Sequence, residues 1–207
     1  MGKGSLISFE GIDGSGKTDQ LFNLAKELYS RDKSVNVFLT REPTDSAWGR
    51  KIRGILKSDA DALGKARECL DLFVADRREH VEKAIKPALA SGATVICDRY
   101  LHSTYAFQQA QGIPFGEIRK AQSGIMQPDA VFLLDVPAEI AFGRIRRRGT
   151  GGNEKFEQLG FMKRLRECYL QLPRQLPQDN MTVIDGTGTR EEVFARILRE
   201  CGRMRVL

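Results

Sequence analysis

The sequence predicts an open α/β domain, a five-stranded parallel sheet flanked by helices on both faces and covered by a lid. Three observations carry this. Five short apolar runs end in turn or polar residues, at 6–9, 35–39, 94–97, 131–134 and 182–184. Stretches of helical periodicity lie between them. A glycine-rich loop runs from the first apolar segment straight into the first helix. Strands that alternate with helices cannot pair as hairpins, so the sheet is parallel and buried on both faces. At 207 residues the chain suits one domain, 1–207, because a polymer of this size closes around a single core.

The elements follow in chain order. After the first strand comes Gly11-Ile12-Asp13-Gly14-Ser15-Gly16-Lys17-Thr18, which fits the pattern G-x-x-x-x-G-K-[ST] in its expected place between strand and helix. Glycines allow the tight turn that points successive N–H groups inward, and the helix N-terminus adds partial positive charge. Gly11, Ile12, Asp13, Gly14, Ser15 and Gly16 thus form a cradle for a nucleoside triphosphate. Lys17 bridges its terminal phosphates, and Thr18 offers a hydroxyl to Mg²⁺, a hard cation that takes oxygen ligands. The fold class is therefore a P-loop nucleotide-binding one. Leu21, Leu24, Ala25 and Leu28 then recur at helical spacing. Leu70, Phe73, Val74 and Val81 do the same and place a second helix before Pro87. The strand at 94–97 ends in Asp98, the acidic residue that such sites need beside the metal. No Asn-Lys-x-Asp guanine-reading motif occurs, which argues against a GTPase switch.

Composition narrows the rest. No apolar run approaches the roughly 18 residues of a membrane span, and the N-terminal apolar stretch runs into the glycine loop rather than an export signal. A cytoplasmic location without membrane partners is expected. Cys69, Cys97, Cys168 and Cys201 lack the close pairings of zinc or redox motifs and read as small hydrophobes. The net charge of +6 suits either a nucleic-acid backbone or anionic nucleotides. With no basic groove interleaved with aromatics, a nucleic-acid partner is not expected.

Further segments lie just after predicted elements: Thr40-Arg41-Glu42-Pro43, the run from Leu72 through Phe73 to Arg77, Asp98-Arg99-Tyr100, and the stretch from Ser103 and Thr104 to Phe107 and Gln108. With Phe9-Glu10-Gly11-Ile12-Asp13, Gln127-Pro128-Asp129, Leu134-Asp135-Val136-Pro137, Phe161 and Tyr169, the set resembles the thymidylate kinase family over most of the chain. That resemblance implies phosphoryl transfer from Mg²⁺-bound ATP to dTMP, with the metal at Thr18 and Asp98. It implies that Arg41 and Arg99 grip the acceptor phosphate, as the bidentate guanidinium suits. Phe73 and Arg77, four apart on one helix face, are expected to stack on the base and hydrogen-bond it. Asp13 approaches the 3′-hydroxyl, Phe107 crowds the 2′ position, and Ser103, Thr104 and Gln108 complete the acceptor site. It further implies a homodimer.

The arginine that stabilises transferred charge comes, in such enzymes, from the P-loop or from the lid. Gly14 occupies the P-loop position, so the lid, about 144–157, is expected to supply it through Arg146 and Arg148. Two departures stand out: Thr44-Asp45 where many relatives carry glycines, and Lys155 where lid-type relatives have arginine. The alternatives weighed are a kinase of another deoxynucleoside monophosphate, a nucleic-acid-binding ATPase and a scaffold without catalysis.

Overall fold

The computed structural model describes residues 4–57, 64–149 and 159–204. Most of the expected lid, Lys155 included, lies outside them. Strands β1 (Ser5–Glu10), β2 (Val37–Arg41), β3 (Thr94–Asp98), β4 (Ala130–Asp135) and β5 (Met181–Asp185) form one sheet in the order β2-β3-β1-β4-β5, every pair parallel. The expected five-stranded sheet is therefore present. The central strand β1 is the point where the winding reverses, and ligands of such sheets collect at that crevice, beyond the carboxyl ends.

The strands reach further than their apolar runs. β2 starts two residues later than expected and continues through Arg41, whose register partner is Asp98; Asp98 in turn pairs with Phe9 of β1. The ladder thus brings Arg41, Asp98 and the start of the glycine loop level with one another. Sequence periodicity misses these ends because a polar residue at the rim still pairs its backbone while its side chain leaves the core.

Side chains alternate across the sheet with period two. Ile7, Phe9, Ile96, Phe132 and Leu134 face helix α1 (Lys17–Arg31) and helix α9 (Arg190–Met204), where Leu21, Leu24, Val193 and Ile197 complete a buried cluster. Leu6, Val95, Cys97 and Leu133 face the other way, toward Leu70, Leu101, Tyr105 and Leu165. These belong to α3 (Ala66–His80), α5 (Leu101–Ala110) and α8 (Leu159–Gln175). Each fully buried side chain such as Phe132 contributes about 1.5–3 kcal/mol. The short helices α2 (Ala47–Lys57), α4 (Lys86–Ala90), α6 (Phe115–Ala121) and α7 (Ala138–Arg147) complete the layers.

The second predicted helix does not stop before Pro87. A π-helical turn at Val81–Ile85 joins α3 to α4 without a break, and Pro87 falls in the first turn of α4. Cys69, Cys97 and Cys201 are buried and Cys168 half-buried, all as free thiols. Among the described residues no helix is long and apolar enough to cross a membrane.

Candidate active site

The loop between β1 and α1 closes because its glycines take backbone angles that other residues avoid. Gly14 has φ 78°, and a Cβ there would lie 2.4 Å from the Ala141 carbonyl oxygen of α7. No side chain fits at this position, which leaves the P-loop unable to supply an arginine. Gly16, at φ 97°, caps α1 without any side-chain hydrogen bond to the first turn. The free N–H groups of that turn and the helix dipole are therefore available to an anion. Lys17 is buried and donates from Nζ to the Ile12 carbonyl at 2.9 Å. Burial, reinforced by the Arg99 cation, lowers its pKa from 10.5 to about 8 despite nearby Asp13, Asp98 and Glu10.

The Thr18 hydroxyl donates to the Asp98 carboxylate at the end of β3. Both line one cavity of about 330 Å³ with Lys17, Arg41 and Arg99. A hydroxyl and a carboxylate at the edge of that cavity are oxygen donors of the kind Mg²⁺ takes, so the residues fit the ion. No group of three or more His, Cys, Asp or Glu side chains suited to a metal occurs among the described residues. Mg²⁺ needs none, because phosphates and waters fill most of its positions.

Opposite the P-loop stands the acceptor side. Arg41 is exposed at the end of β2, and among the described residues its side chain has no hydrogen-bond or ion-pair partner. Arg99 is the counterpart, and it is held firmly. Its guanidinium donates to Asp13 Oδ1 at 2.6 Å, the Tyr169 hydroxyl at 2.9 Å and Ser103 Oγ at 3.1 Å, and lies over the Phe107 ring. Its backbone has φ 67°, the left-handed region that costs a non-glycine residue about 1–2 kcal/mol. Two hydrogen bonds fix this turn: Arg99 N–H to the Phe9 carbonyl at 2.9 Å and Tyr100 N–H to Glu10 Oε1 at 2.8 Å. Burial works to raise the Asp13 carboxyl, but the Arg99 and Lys17 cations outweigh it and hold its pKa down at about 2. Because half of that side chain is exposed, solvent screens the pair and its contribution to stability is small.

A second, more enclosed cavity of about 110 Å³ adjoins Arg99 and is lined by Phe73, Arg77, Tyr100, Thr104, Phe107 and Gln108. The structure thus brings the expected acceptor residues together, but it gives two of them additional work. Arg77 is almost fully buried and donates to Glu42 at 2.8 Å, Thr104 Oγ1 at 3.0 Å and Gln122 Oε1. His80 Nδ1 sits 3.0 Å from the second Glu42 oxygen, and its Nε2 is 2.7 Å from Thr40 Oγ1. Gln108 donates its amide to the Ala66 carbonyl, tying α5 to the start of α3.

Sequence reasoning missed the supports. Glu10, wholly buried, accepts from Tyr100 N–H and Ser103 Oγ; burial pushes its carboxyl up, while His102, Ser103 and Arg99 pull it back. Asp76 accepts from the Thr44 amide at 2.8 Å and from the Thr44 and Ser46 hydroxyls, both at 2.5 Å. That explains the departure at Thr44: its hydroxyl anchors the loop after Arg41. Arg53 donates to the Pro43 and Thr44 carbonyls and lines the same cavity as Arg41. A polar residue set inside an apolar periodic stretch, as Asp76 and Glu10 are, was the available signal.

The cationic run on α7 divides. Arg148 lines the phosphate cavity, 3.4 Å from Asp19. Arg144 donates to the Gly186 and Gly14 carbonyls beside an adjoining cavity that also touches Arg148 and Arg190. Arg146 lies over the Phe142 ring and lines neither cavity.

Comparison with known proteins agrees with this geometry. The family described as Thymidylate kinase matches residues 9–197. A probable thymidylate kinase of Pyrococcus horikoshii is 39% identical over 95% of each chain. A thymidylate kinase of Dinoroseobacter shibae is 41% identical, covering 94% of this chain and 95% of its own. One from Nitrosomonas eutropha is 37% identical over 93% and 90%. From the phosphate cradle, the facing arginines and these near full-length likenesses together, the chain belongs to the thymidylate kinase family.

Proposed function

We propose that the chain transfers the γ-phosphoryl group of ATP in line to the phosphate of dTMP, on the residues described above. The reaction is that of its family: dTMP becomes dTDP, and ATP is the donor. The bond from the γ-phosphorus to the β–γ bridging oxygen breaks as one forms to an acceptor phosphate oxygen. ADP departs with the electron pair. Because the acceptor is already anionic, no side-chain nucleophile is required, and catalysis rests on position and charge.

One observation supports this reading above the others. The strand register sets Arg41 and Arg99 across a single cavity from Lys17 and the uncapped turn of α1. Lys17 and the loop amides Gly11 to Thr18 hold the donor. Arg41 and Arg99 hold the acceptor phosphate, while Asp13, fixed by Arg99, faces the sugar. Thr18 and Asp98 would hold Mg²⁺, which would neutralise phosphate charge there. Phe73 covers the base, Arg77 and Thr104 form the polar wall, and Phe107 closes on the sugar. Arg148, in reach of the donor cavity, supplies charge to the transferred group from a lid at about 144–157 of a single domain. We further infer a cytoplasmic homodimer, as the family resemblance implies; light scattering and cell fractionation test both.

An ADP-release assay across nucleoside monophosphates tests the reaction. The highest kcat/KM is expected for dTMP, with Lys17→Ala nearly inactive. A ranking of dTMP below dCMP or dGMP overturns the acceptor, and DNA-stimulated ATP turnover without dTMP phosphorylation points to a nucleic-acid ATPase instead.

A further inference from the structure

His102, the second residue of α5, is fully buried and takes no part in the reaction as described. Its Nε2 is locked 2.7 Å from Asp179 Oδ2, in the loop that leads to β5. Its Nδ1 has no hydrogen-bond partner and stands 3.9 Å from Glu10 Oε1. The ring is thereby held between two buried carboxylates, hydrogen-bonded to Asp179 and within electrostatic reach of Glu10. The titratable groups set against it are Asp179, Glu10 and the Tyr105 ring, 6.4 Å away on its own helix.

Glu10 is what gives this position leverage. One of its oxygens holds the amide of Tyr100, immediately after Arg99, and the other holds Ser103 Oγ, itself bound to the Arg99 guanidinium and to Tyr169. Glu10 therefore supports Arg99 from two sides, through the Tyr100 amide and through Ser103 Oγ. A carboxylate at zero exposure is costly, and each polar group turned toward it lowers that cost.

We propose that His102 is a positioning residue for the acceptor site: pinned by Asp179, it sets its ring edge against the buried Glu10 carboxylate and so steadies the turn that aims Arg99. This rests on the reading of Arg99 as the acceptor-phosphate clamp.

The chain has only two histidines, so ¹⁵N ring spectra of the labelled enzyme resolve His102, with His80→Gln making the assignment. Glu10→Gln is expected to shift the His102 ring resonances, and an unmoved ring overturns the proposal. In kinetics, His102→Leu is expected to raise the KM for dTMP about tenfold, as coupled neighbours do, with the KM for ATP unchanged. Glu10→Gln added to it is expected to recover most of that loss, because a neutral amide is no longer a buried charge. An unchanged KM for dTMP, an equal loss toward ATP, or losses that multiply in the double variant each overturn the proposal. Where His102→Leu fails to fold, the ring spectrum of Glu10→Gln decides. Should the parent enzyme itself not phosphorylate dTMP, the acceptor reading fails instead.

Discussion

Replacing Glu42 with Gln removes one charge from a site where nothing else can compensate it. Side-chain exposure is 3% for Glu42, 1% for Arg77 and 4% for His80, so water does not reach the group. Arg77 keeps Thr104 and Gln122 but loses its counter-ion. Breaking a buried pair on one side costs about 3–5 kcal/mol, a large share of the roughly 5–15 kcal/mol that holds a domain together. At roughly 2–4 °C per kcal/mol for a chain this long, Tm falls by about 6–20 °C. Calorimetry reads this directly. Function is affected as well, because Glu42 follows Arg41 and its amide donates to the Asp98 carbonyl at 3.1 Å. The KM for dTMP therefore rises more than that for ATP. Glu42→Gln combined with Arg77→Met regains stability while losing dTMP binding, since an uncharged pair leaves no charge stranded. A Tm within about 2 °C of the parent for Glu42→Gln, under half of the shift expected for 3 kcal/mol, refutes the reasoning.

Three further expectations follow from the cavity. Lys17 has a pKa near 8 in the free enzyme, and a bound triphosphate raises it again; ATP binding therefore takes up protons around pH 8 and weakens as pH climbs through that value. Calorimetry in buffers of different ionisation enthalpy checks this, and release of protons contradicts it. Gly14→Ala forces a left-handed backbone on alanine at about 1–2 kcal/mol and drives Cβ into the Ala141 carbonyl, so donor affinity falls at least about 5–30-fold by titration. Arg148→Ala lowers kcat about 10²-fold or more, the scale of one lost charge-stabilising donor, whereas Arg146→Ala, stacked on Phe142, stays near the parent in the same assay.

The parts of the site that were legible in the sequence share one property: their chemistry is local. The loop from Gly11 to Thr18 is contiguous, and its glycines and Lys17 act from a single strand-to-helix turn. Arg41 and Asp98 were found because strand ends are where ligands bind, and the register then proved to set them level. The supports were not legible, because they join residues 30 or more apart: Asp76 to Thr44, Glu42 to Arg77, Glu10 to Ser103. Charge pattern alone cannot say which acid meets which partner once the chain folds. The division among Arg144, Arg146 and Arg148 was illegible for a different reason. Arg144 and Arg148, four apart, share one face at the end of α7 while Arg146 points elsewhere, and only the packing of α7 on Gly14 and Gly186 selects which face meets the cavity.

Electron density for dTMP in crystals soaked with the nucleotide tests the central assignment most directly. The account places its phosphate between Arg41 and Arg99, with the base in the cavity between Phe73 and Arg77. Density for the phosphate outside that arginine pair, or for the base outside that cavity, contradicts it.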